Sequence, residues 1–172
     1  MRVFITASSG VGKSAIVNEL KNRGYTAYDT DDRGLRLTRL EDSETGKPVA
    51  WPKGYIDWRR YSWNVNEEKL QKILANDKTV FLCGIVSNQE KLYHYFDVLI
   101  ALAIEPAEHE RRLRSRPKRD FGDDEQNIRQ TLEKYSEHMA KFKAADFTVI
   151  DNTQSVSQTV DQIETFLKSN ER

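Results

Sequence analysis

The sequence predicts an α/β protein of three layers, in which helices cover both faces of a five-stranded, mostly parallel sheet. Three observations favour this class. Apolar runs of strand length alternate with segments whose apolar residues recur at helical spacing. Two of the runs, TVFLCGIV and FDVLIALAI, are continuous, as expected for strands that are covered on both faces. The first run of the chain leads into a glycine-rich loop and then into a helical segment.

The elements follow one another in a regular order. Strands are predicted within the ranges 3–6, 25–28, 79–86, 96–104 and 147–150. Helices are predicted within the ranges 13–22, 67–76, 106–113, 128–142 and 156–166. Each crossover contains a helix, which predicts parallel strands, and ligands of such sheets bind at the carboxyl ends of the strands. The glycine-rich loop, the aspartates at 29–32 and the pair Cys83-Gly84 all follow strands, so we expect them at one rim.

Length and composition narrow the class of protein. The 172 residues fit one domain, 1–172, and 27 basic against 27 acidic residues give a formal charge of zero. That balance argues against a nucleic-acid or membrane-surface binder that depends on net charge. The one cysteine, Cys83, lies in an apolar run, which indicates a reducing compartment and a packing role. Without a secretory segment or membrane-length apolar run, we expect a cytoplasmic protein, monomeric or homodimeric.

The loop ASSGVGKS matches the phosphate-binding pattern G-x-x-x-x-G-K-[ST] except at Ala7, which replaces the first glycine. Alanine suits that position if its φ is negative, because the chain is only leaving the strand there. The two later glycines allow the backbone to curl around phosphate oxygens, Lys13 adds a charge for the β and γ phosphates, and the Ser14 hydroxyl suits Mg²⁺. The predicted nucleotide contacts are Ser9, Gly10, Val11, Gly12, Lys13, Ser14 and Ala15. The alternative is a helix cap with a coincidental lysine.

With this loop, the sequence resembles the small P-loop kinases, the group of shikimate, gluconate and adenylate kinases. The resemblance implies a P-loop NTPase fold, ATP and Mg²⁺ as cofactors, and a small-molecule acceptor as partner. It also implies an acceptor-binding segment at about 32–78 and a short lid at about 116–124. In YDTDD, which looks like the D-x-D of the shikimate kinase type, Asp29 would assist Mg²⁺ and Asp31 would hold the acceptor hydroxyl and take its proton. The alternative is an acidic corner in which Asp31 or Asp32 caps a helix.

The stretch RRLRSRPKR has the R-x-x-x-R spacing that begins the lid of adenylate kinases. By this resemblance Arg112 would stack on adenine and Arg116 would meet the phosphates, with Arg119 as a further lid residue. Arginines in these places would stabilise the charge of the transition state. The alternative is a solvated basic helix face.

The acceptor segment offers two kinds of side chain. Arg33, Arg36 and Arg39 recur every three residues, which predicts one basic helix edge suited to a phosphate or carboxylate of the acceptor. The aromatic residues, Trp58 foremost, could stack on the acceptor or form a private core of the segment. The aromatic set is Trp51, Tyr55, Trp58, Tyr61 and Trp63.

These features favour an ATP-dependent kinase that phosphorylates a hydroxyl or phosphate of a metabolite, nucleoside or nucleotide. One departure weakens the likeness to adenylate kinases, because Cys83-Gly84 stands where they carry Asp-Gly. That places the metal on Ser14 and Asp29 and mildly supports an alternative, an ATP-binding regulatory protein. A GTPase is disfavoured because no N-K-x-D signature occurs, and an AAA-type motor because its small helical domain has no room.

Overall fold

A computed structural model describes residues 1–51, 56–75, 78–116 and 125–170. Its main sheet has five strands in the order β2-β5-β1-β6-β7, and every neighbouring pair is parallel. The strands are β1 (Arg2–Thr6), β2 (Thr26–Asp29), β5 (Val80–Cys83), β6 (Val98–Ala103) and β7 (Thr148–Asp151). All five strands expected from the apolar runs are therefore present, and the predicted parallel sheet is confirmed.

Five α-helices accompany the sheet among the described residues, and each overlaps a helix predicted from apolar spacing. They are α1 (Lys13–Asn22), α2 (Glu67–Leu74), α3 (Pro106–Arg114), α4 (Glu125–Ala144) and α5 (Val156–Asn170). A 3₁₀ helix at Gln89–Tyr95, which the sequence analysis did not predict, connects β5 to β6. In the part of the chain that the structure describes, no helix combines the length and apolarity needed to cross a membrane.

The alternation of side chains along the strands produces two separate cores, one on each face of the sheet. Val3 and Ile5 of β1 pack with α1 and α5, whereas Phe4 between them packs on the opposite face with α2 and α4. Successive strand residues point to opposite faces, so a strand buried on both sides needs a continuous apolar run. This is why β1, β5 and β6 read as unbroken apolar sequence.

The segment after β2 differs from the expectation. It contains a second, antiparallel sheet of β3 (Thr38–Asp42) and β4 (Tyr61–Val65), which the sequence analysis missed. The prediction that Arg33, Arg36 and Arg39 share a helix edge is wrong. The first two lie in turns and Arg39 lies in β3, because the Asp32 carboxylate and carbonyl accept hydrogen bonds from the backbone that follows and fold it into turns.

Candidate functional site

The glycine-rich loop between β1 and α1 contains two positions at which only glycine fits. Gly10 and Gly12 have φ of +89° and +119°, the left-handed region that favours glycine. A Cβ on Gly10 would lie 2.6 Å from Leu113 Cδ2, and one on Gly12 would lie 2.9 Å from Asn152 Nδ2. Both positions therefore exclude a side chain on conformational and steric grounds. Ala7 is fully buried and is not among the described residues with positive φ, as its tolerance in this loop requires.

Lys13 folds back across the loop. Its Nζ donates to the carbonyl oxygens of Ala7 at 2.7 Å and Ser8 at 3.2 Å. Burial lowers the Lys13 pKa from 10.5 to about 8, although the carboxylates of Asp31 and Asp29 oppose that change. The N–H groups of Lys13 and Ser14 have no hydrogen-bond partner among the described residues, as is usual in the first turn of a helix. The loop thus presents backbone donors, the positive end of α1 and one ammonium group to an anion.

Two histidines hold the outer side of the loop. His109 Nε2 lies 2.7 Å from the Ser9 carbonyl oxygen, which only accepts, so Nε2 carries the proton. The other ring nitrogen of His109 is buried and has no partner among the described residues. His138 Nδ1 lies 2.9 Å from Ser8 Oγ. Burial lowers the pKa of both imidazoles, so the neutral forms belong to this structure.

Ser14 and Asp29 meet at the mouth of the loop. Ser14 Oγ donates to Asp29 Oδ2 at 2.8 Å, and the other Asp29 oxygen accepts from the Asp31 backbone N–H at 2.9 Å. No cluster of three or more metal-ligating side chains occurs among the described residues. Mg²⁺ at phosphates typically takes only one or two protein oxygens and completes its shell with water and phosphate. The hydroxyl of Ser14 and the carboxylate of Asp29 fit that kind of site.

Cys83 lies beside Asp29 on the neighbouring strand of the sheet and is completely buried. Burial and the Asp29 carboxylate raise the pKa of its thiol, so it is a packing residue, as expected. The next residue, Gly84, allows the turn that follows β2 to approach the end of β5 closely. A Cβ on Gly84 would lie only 2.1 Å from Thr30 Oγ1, while the Thr30 N–H donates to the Cys83 carbonyl oxygen at 2.9 Å. Gly84 therefore determines how closely Asp29 and Asp31 approach the loop.

A cavity of about 510 Å³ opens beside Asp31, between the end of β2, the small sheet and α2. Leu37 and Trp63 contribute apolar surface. Its charged lining residues are Asp31, Asp32, Arg33, Arg36, Arg39 and Lys69. The volume falls in the usual range of small-molecule sites.

Trp63 is the aromatic residue that reaches the candidate site. Its Nε1 donates to Asp31 Oδ1 at 3.1 Å, and its ring meets that of Trp51 edge to face at 5.3 Å. Trp58, the aromatic residue favoured from the sequence, does not line the cavity, and its side chain is 37% exposed. Trp51 is 46% exposed, so the expected private aromatic core is not formed by these tryptophans. Tyr55 lies outside the described residues. In the sequence, only the alternating direction of side chains along β4 could have distinguished Trp63 from the other tryptophans.

The arginines expected from the lid resemblance lie against the loop. Arg112 donates to the carbonyl oxygens of Val11 at 2.8 Å and Asn152 at 2.9 Å, and its Nε donates to Glu108. These bonds occupy the edges of the guanidinium and leave its faces for stacking. Arg116 Nη1 donates to Ser9 Oγ at 3.2 Å. Arg119 and the rest of the expected lid, 117–124, lie outside the described residues.

This chain matches known proteins in its structure rather than in its sequence. A shikimate kinase from Bacteroides thetaiotaomicron superposes with a TM-score of 0.60 at 16% identity, covering 98% of each chain. A shikimate kinase from Aquifex aeolicus superposes with a TM-score of 0.56 at 16% identity, covering 99% of this chain and 98% of that one. No protein-family model matches the sequence, and no curated protein matches it. The chain therefore has the P-loop fold of shikimate kinases, as the sequence predicted.

Proposed function

We propose that this chain, on the fold it shares with the two shikimate kinase structures, is an ATP-dependent kinase that phosphorylates a hydroxyl of a small molecule. One observation carries the proposal: the bond of 2.8 Å between Ser14 Oγ and Asp29 Oδ2 joins the phosphate-binding loop to the segment that bears Asp31. A phosphate-binding loop, a metal-suited oxygen pair and a carboxylate at a cavity thus occur side by side. These are the parts that phosphoryl transfer needs.

The chain's own residues divide the work of binding ATP. The backbone N–H groups of the loop at 9–15 and the Lys13 ammonium would hold the phosphates, and the positive φ of Gly10 and Gly12 curls the backbone for that purpose. Ser14 and Asp29 would hold Mg²⁺, which neutralises charge on the β and γ phosphates when bound. A phosphate dianion beside Lys13 would also restore the ordinary ammonium pKa that burial now lowers to about 8.

Asp31 is the proposed catalytic base. Its carboxylate accepts the proton of the acceptor hydroxyl, whose oxygen forms a bond to the γ-phosphorus while the bond from that phosphorus to the bridging oxygen breaks and ADP leaves. Trp63 Nε1–H holds one carboxylate oxygen of Asp31 at 3.1 Å, which orients the other oxygen for the hydroxyl. Arg116, near the loop, and Arg119 would stabilise charge on the transferred group, and the faces of Arg112 would stack on adenine.

The protein's setting follows the same proposal. A single buried cysteine suits a reducing compartment, so we assign the kinase to the cytoplasm. The acceptor segment at 32–78 and the lid at 116–124 would belong to one domain spanning 1–172. We expect it to act as a monomer or homodimer on small molecules rather than on nucleic acid or membranes.

The test is a screen for ADP release with Mg²⁺, ATP and a panel of sugar acids, sugar phosphates, nucleosides and nucleotides. At least one acceptor should accelerate ADP release in the native protein. Lys13→Ala should abolish ATP binding, and Asp31→Asn should bind ATP normally but transfer at least ~10³-fold more slowly, since the base is lost. A normal rate for Asp31→Asn would contradict the assigned role. If no acceptor stimulates ADP release while ATP binds, a nucleotide-binding regulatory protein is the better description.

A further inference from the structure

The cavity beside Asp31 contains more positive charge than its own acidic groups neutralise. Four basic residues and two acidic residues line it. Asp32 already accepts a hydrogen bond of 2.8 Å from the Gly34 N–H, and Asp31 is assigned to the acceptor hydroxyl. An acceptor that enters this cavity therefore meets an excess of cations.

The basic residues of the cavity differ in how far they are already paired. Arg39 forms an ion pair with Glu41, which removes it from the set available to a ligand. Lys69 Nζ donates to the Arg36 carbonyl oxygen at 2.8 Å, which leaves two of its three protons for another acceptor. The side chains of Arg33 and Arg36 form no hydrogen bond or ion pair with any residue in the described ranges. The cations left for a ligand are thus Arg33, Arg36 and Lys69.

Arg36 is held in a conformation that L side chains rarely adopt. Its φ is +46°, and Asp146 at the end of α4 is the other non-glycine residue with positive φ in the described chain. Such a conformation costs about 1–2 kcal/mol. Its N–H donates to the Asp32 carbonyl oxygen at 3.3 Å and its own carbonyl oxygen accepts from Lys69, so the strained turn is fixed on both sides. Glycine or asparagine would adopt this conformation at lower cost, so we attribute the arginine at this exposed turn to a role of its side chain.

We propose that the acceptor is a phosphate monoester, whose phosphate is bound by Arg36 together with Arg33 and Lys69 while its hydroxyl lies at Asp31. This inference rests on the proposed kinase function and names its substrate class. Three cations exceed what one carboxylate needs, whereas a phosphate dianion has three oxygens and two charges for them to bind. The phosphate at Arg36 serves only for binding, whereas the hydroxyl at Asp31 receives the new phosphoryl group.

The test measures binding without ATP, through tryptophan fluorescence. All three tryptophans lie between residues 51 and 63, so the signal reports on the acceptor segment. The probes are ribose 5-phosphate and glycerol 3-phosphate, compared with ribose and with gluconate as a carboxylate. We expect the phosphate esters to bind at least tenfold more tightly than ribose or gluconate. Equal binding of gluconate and the phosphate esters, or no response to either ester, would overturn the proposal.

Substitutions at the two strained positions separate the side chain from the backbone. Arg36→Asn removes the charge but tolerates positive φ, so it should weaken binding of the phosphate esters at least tenfold without lowering the melting temperature. Asp146→Asn, with φ of +58° in the native residue, is the matched control and should leave binding unchanged. Unchanged affinity in Arg36→Asn would refute the assigned subsite. If the esters bind as expected but accept no phosphoryl group from ATP, the kinase proposal fails and the phosphate subsite stands.

Discussion

The glycine-rich loop and the cavity beside Asp31 are built in opposite ways. At the loop, missing side chains allow close packing against the rest of the protein, since a Cβ at Gly10 or Gly12 would lie within 3 Å of Leu113 or Asn152. At the cavity, long charged side chains such as Arg33 and Arg36 line the space and lie exposed. On the proposed function, the loop would serve a group common to all nucleotides, and the cavity one particular acceptor. A change in the loop should affect stability and every substrate, and a change in the cavity only the acceptor.

The largest expected effect on stability comes from Lys13. A drop of its pKa from 10.5 to about 8 corresponds to a cost of roughly 3 kcal/mol for holding the charged ammonium in the folded protein below pH 8. That cost declines as pH rises from 8 to 10.5, because the folded protein then binds fewer protons than the unfolded chain. Lys13→Met should therefore stabilise the protein at pH 7 by up to about 3 kcal/mol, and less at pH 10, while it abolishes ATP binding.

Urea unfolding of Lys13→Met and the native protein at both pH values measures the difference. Lys21→Met, on the exposed end of α1, is the control and should change neither stability nor its pH dependence. A variant at position 13 that is less stable at pH 7 would show that the ammonium's bonds to Ala7 and Ser8 outweigh its burial.

The next effect concerns the close contact between Gly84 and Thr30. Gly84→Ala would place a Cβ 2.1 Å from Thr30 Oγ1 and 2.7 Å from Thr30 Cβ, so the backbone after β5 or the turn after β2 has to move. We expect a loss of about 2 kcal/mol or more in the free energy of unfolding. The double variant with Thr30→Ala should recover part of it. Gly34→Ala, whose Cβ would meet only Asp32 Oδ1 at 3.2 Å, is the control. Equal stability of the two alanine variants by urea unfolding would contradict the close fit.

A smaller effect is confined to the cavity. Trp63→Phe keeps an aromatic ring but removes the N–H that donates to Asp31. A bond of this kind contributes about 1 kcal/mol, so kcat/KM for the acceptor should fall roughly fivefold while KM for ATP stays the same. Trp58→Phe, outside the cavity, should change neither value. Equal losses in both variants, or a loss that follows ATP, would contradict the orienting role.

The smallest effect is a pH dependence of the loop. His109 and His138 have pKa values below the ordinary 6.5, so the unfolded chain binds more protons as pH falls through that value. The folded protein should therefore lose stability as pH falls from 7.5 to 5.5. The charged groups that act on the two rings are Lys13, Arg112, Arg116, Lys134, Glu137 and Lys141.

Melting temperatures across that range measure this loss. His109→Gln and His138→Asn each retain a polar nitrogen near the position of the one that contacts the loop, and the pair should flatten the curve. An unchanged slope in the double variant would exclude these histidines as its source.

Sequence reasoning reached the parts of the fold that depend on local pattern. The buried strands are recognisable as continuous apolar runs. The loop is recognisable because the phosphate-binding pattern fixes the positions of glycines and a lysine within eight residues. The small sheet was missed because β3 is TRLED, four of whose five residues are polar, and because Arg33, Arg36 and Arg39 imitate helical spacing. No local pattern reveals positive φ at Arg36, which depends on bonds to Asp32 and Lys69.

In the candidate site, too, some features follow from local sequence pattern, and others depend on residues that are distant in the chain. The placement of Ser14 and Asp29 at one rim was predicted, because the loop and the aspartates both follow strands of one parallel sheet. The choice of Trp63 over Trp58 was not, since it depends on which face of β4 turns toward Asp31, 32 residues earlier in the chain. The role of Gly84 likewise depends on Thr30, a partner in the turn that follows β2.

The burial of Cys83 has a practical consequence for site-specific labelling. It is the chain's single cysteine, and its side chain is inaccessible with a thiol pKa raised by burial, so alkylating reagents should leave it unmodified. A cysteine introduced at the exposed Ser115 would then be the one reactive thiol of the native background. A spin label or fluorophore attached there could report whether the environment at the end of α3 changes when nucleotide is added, without altering the core.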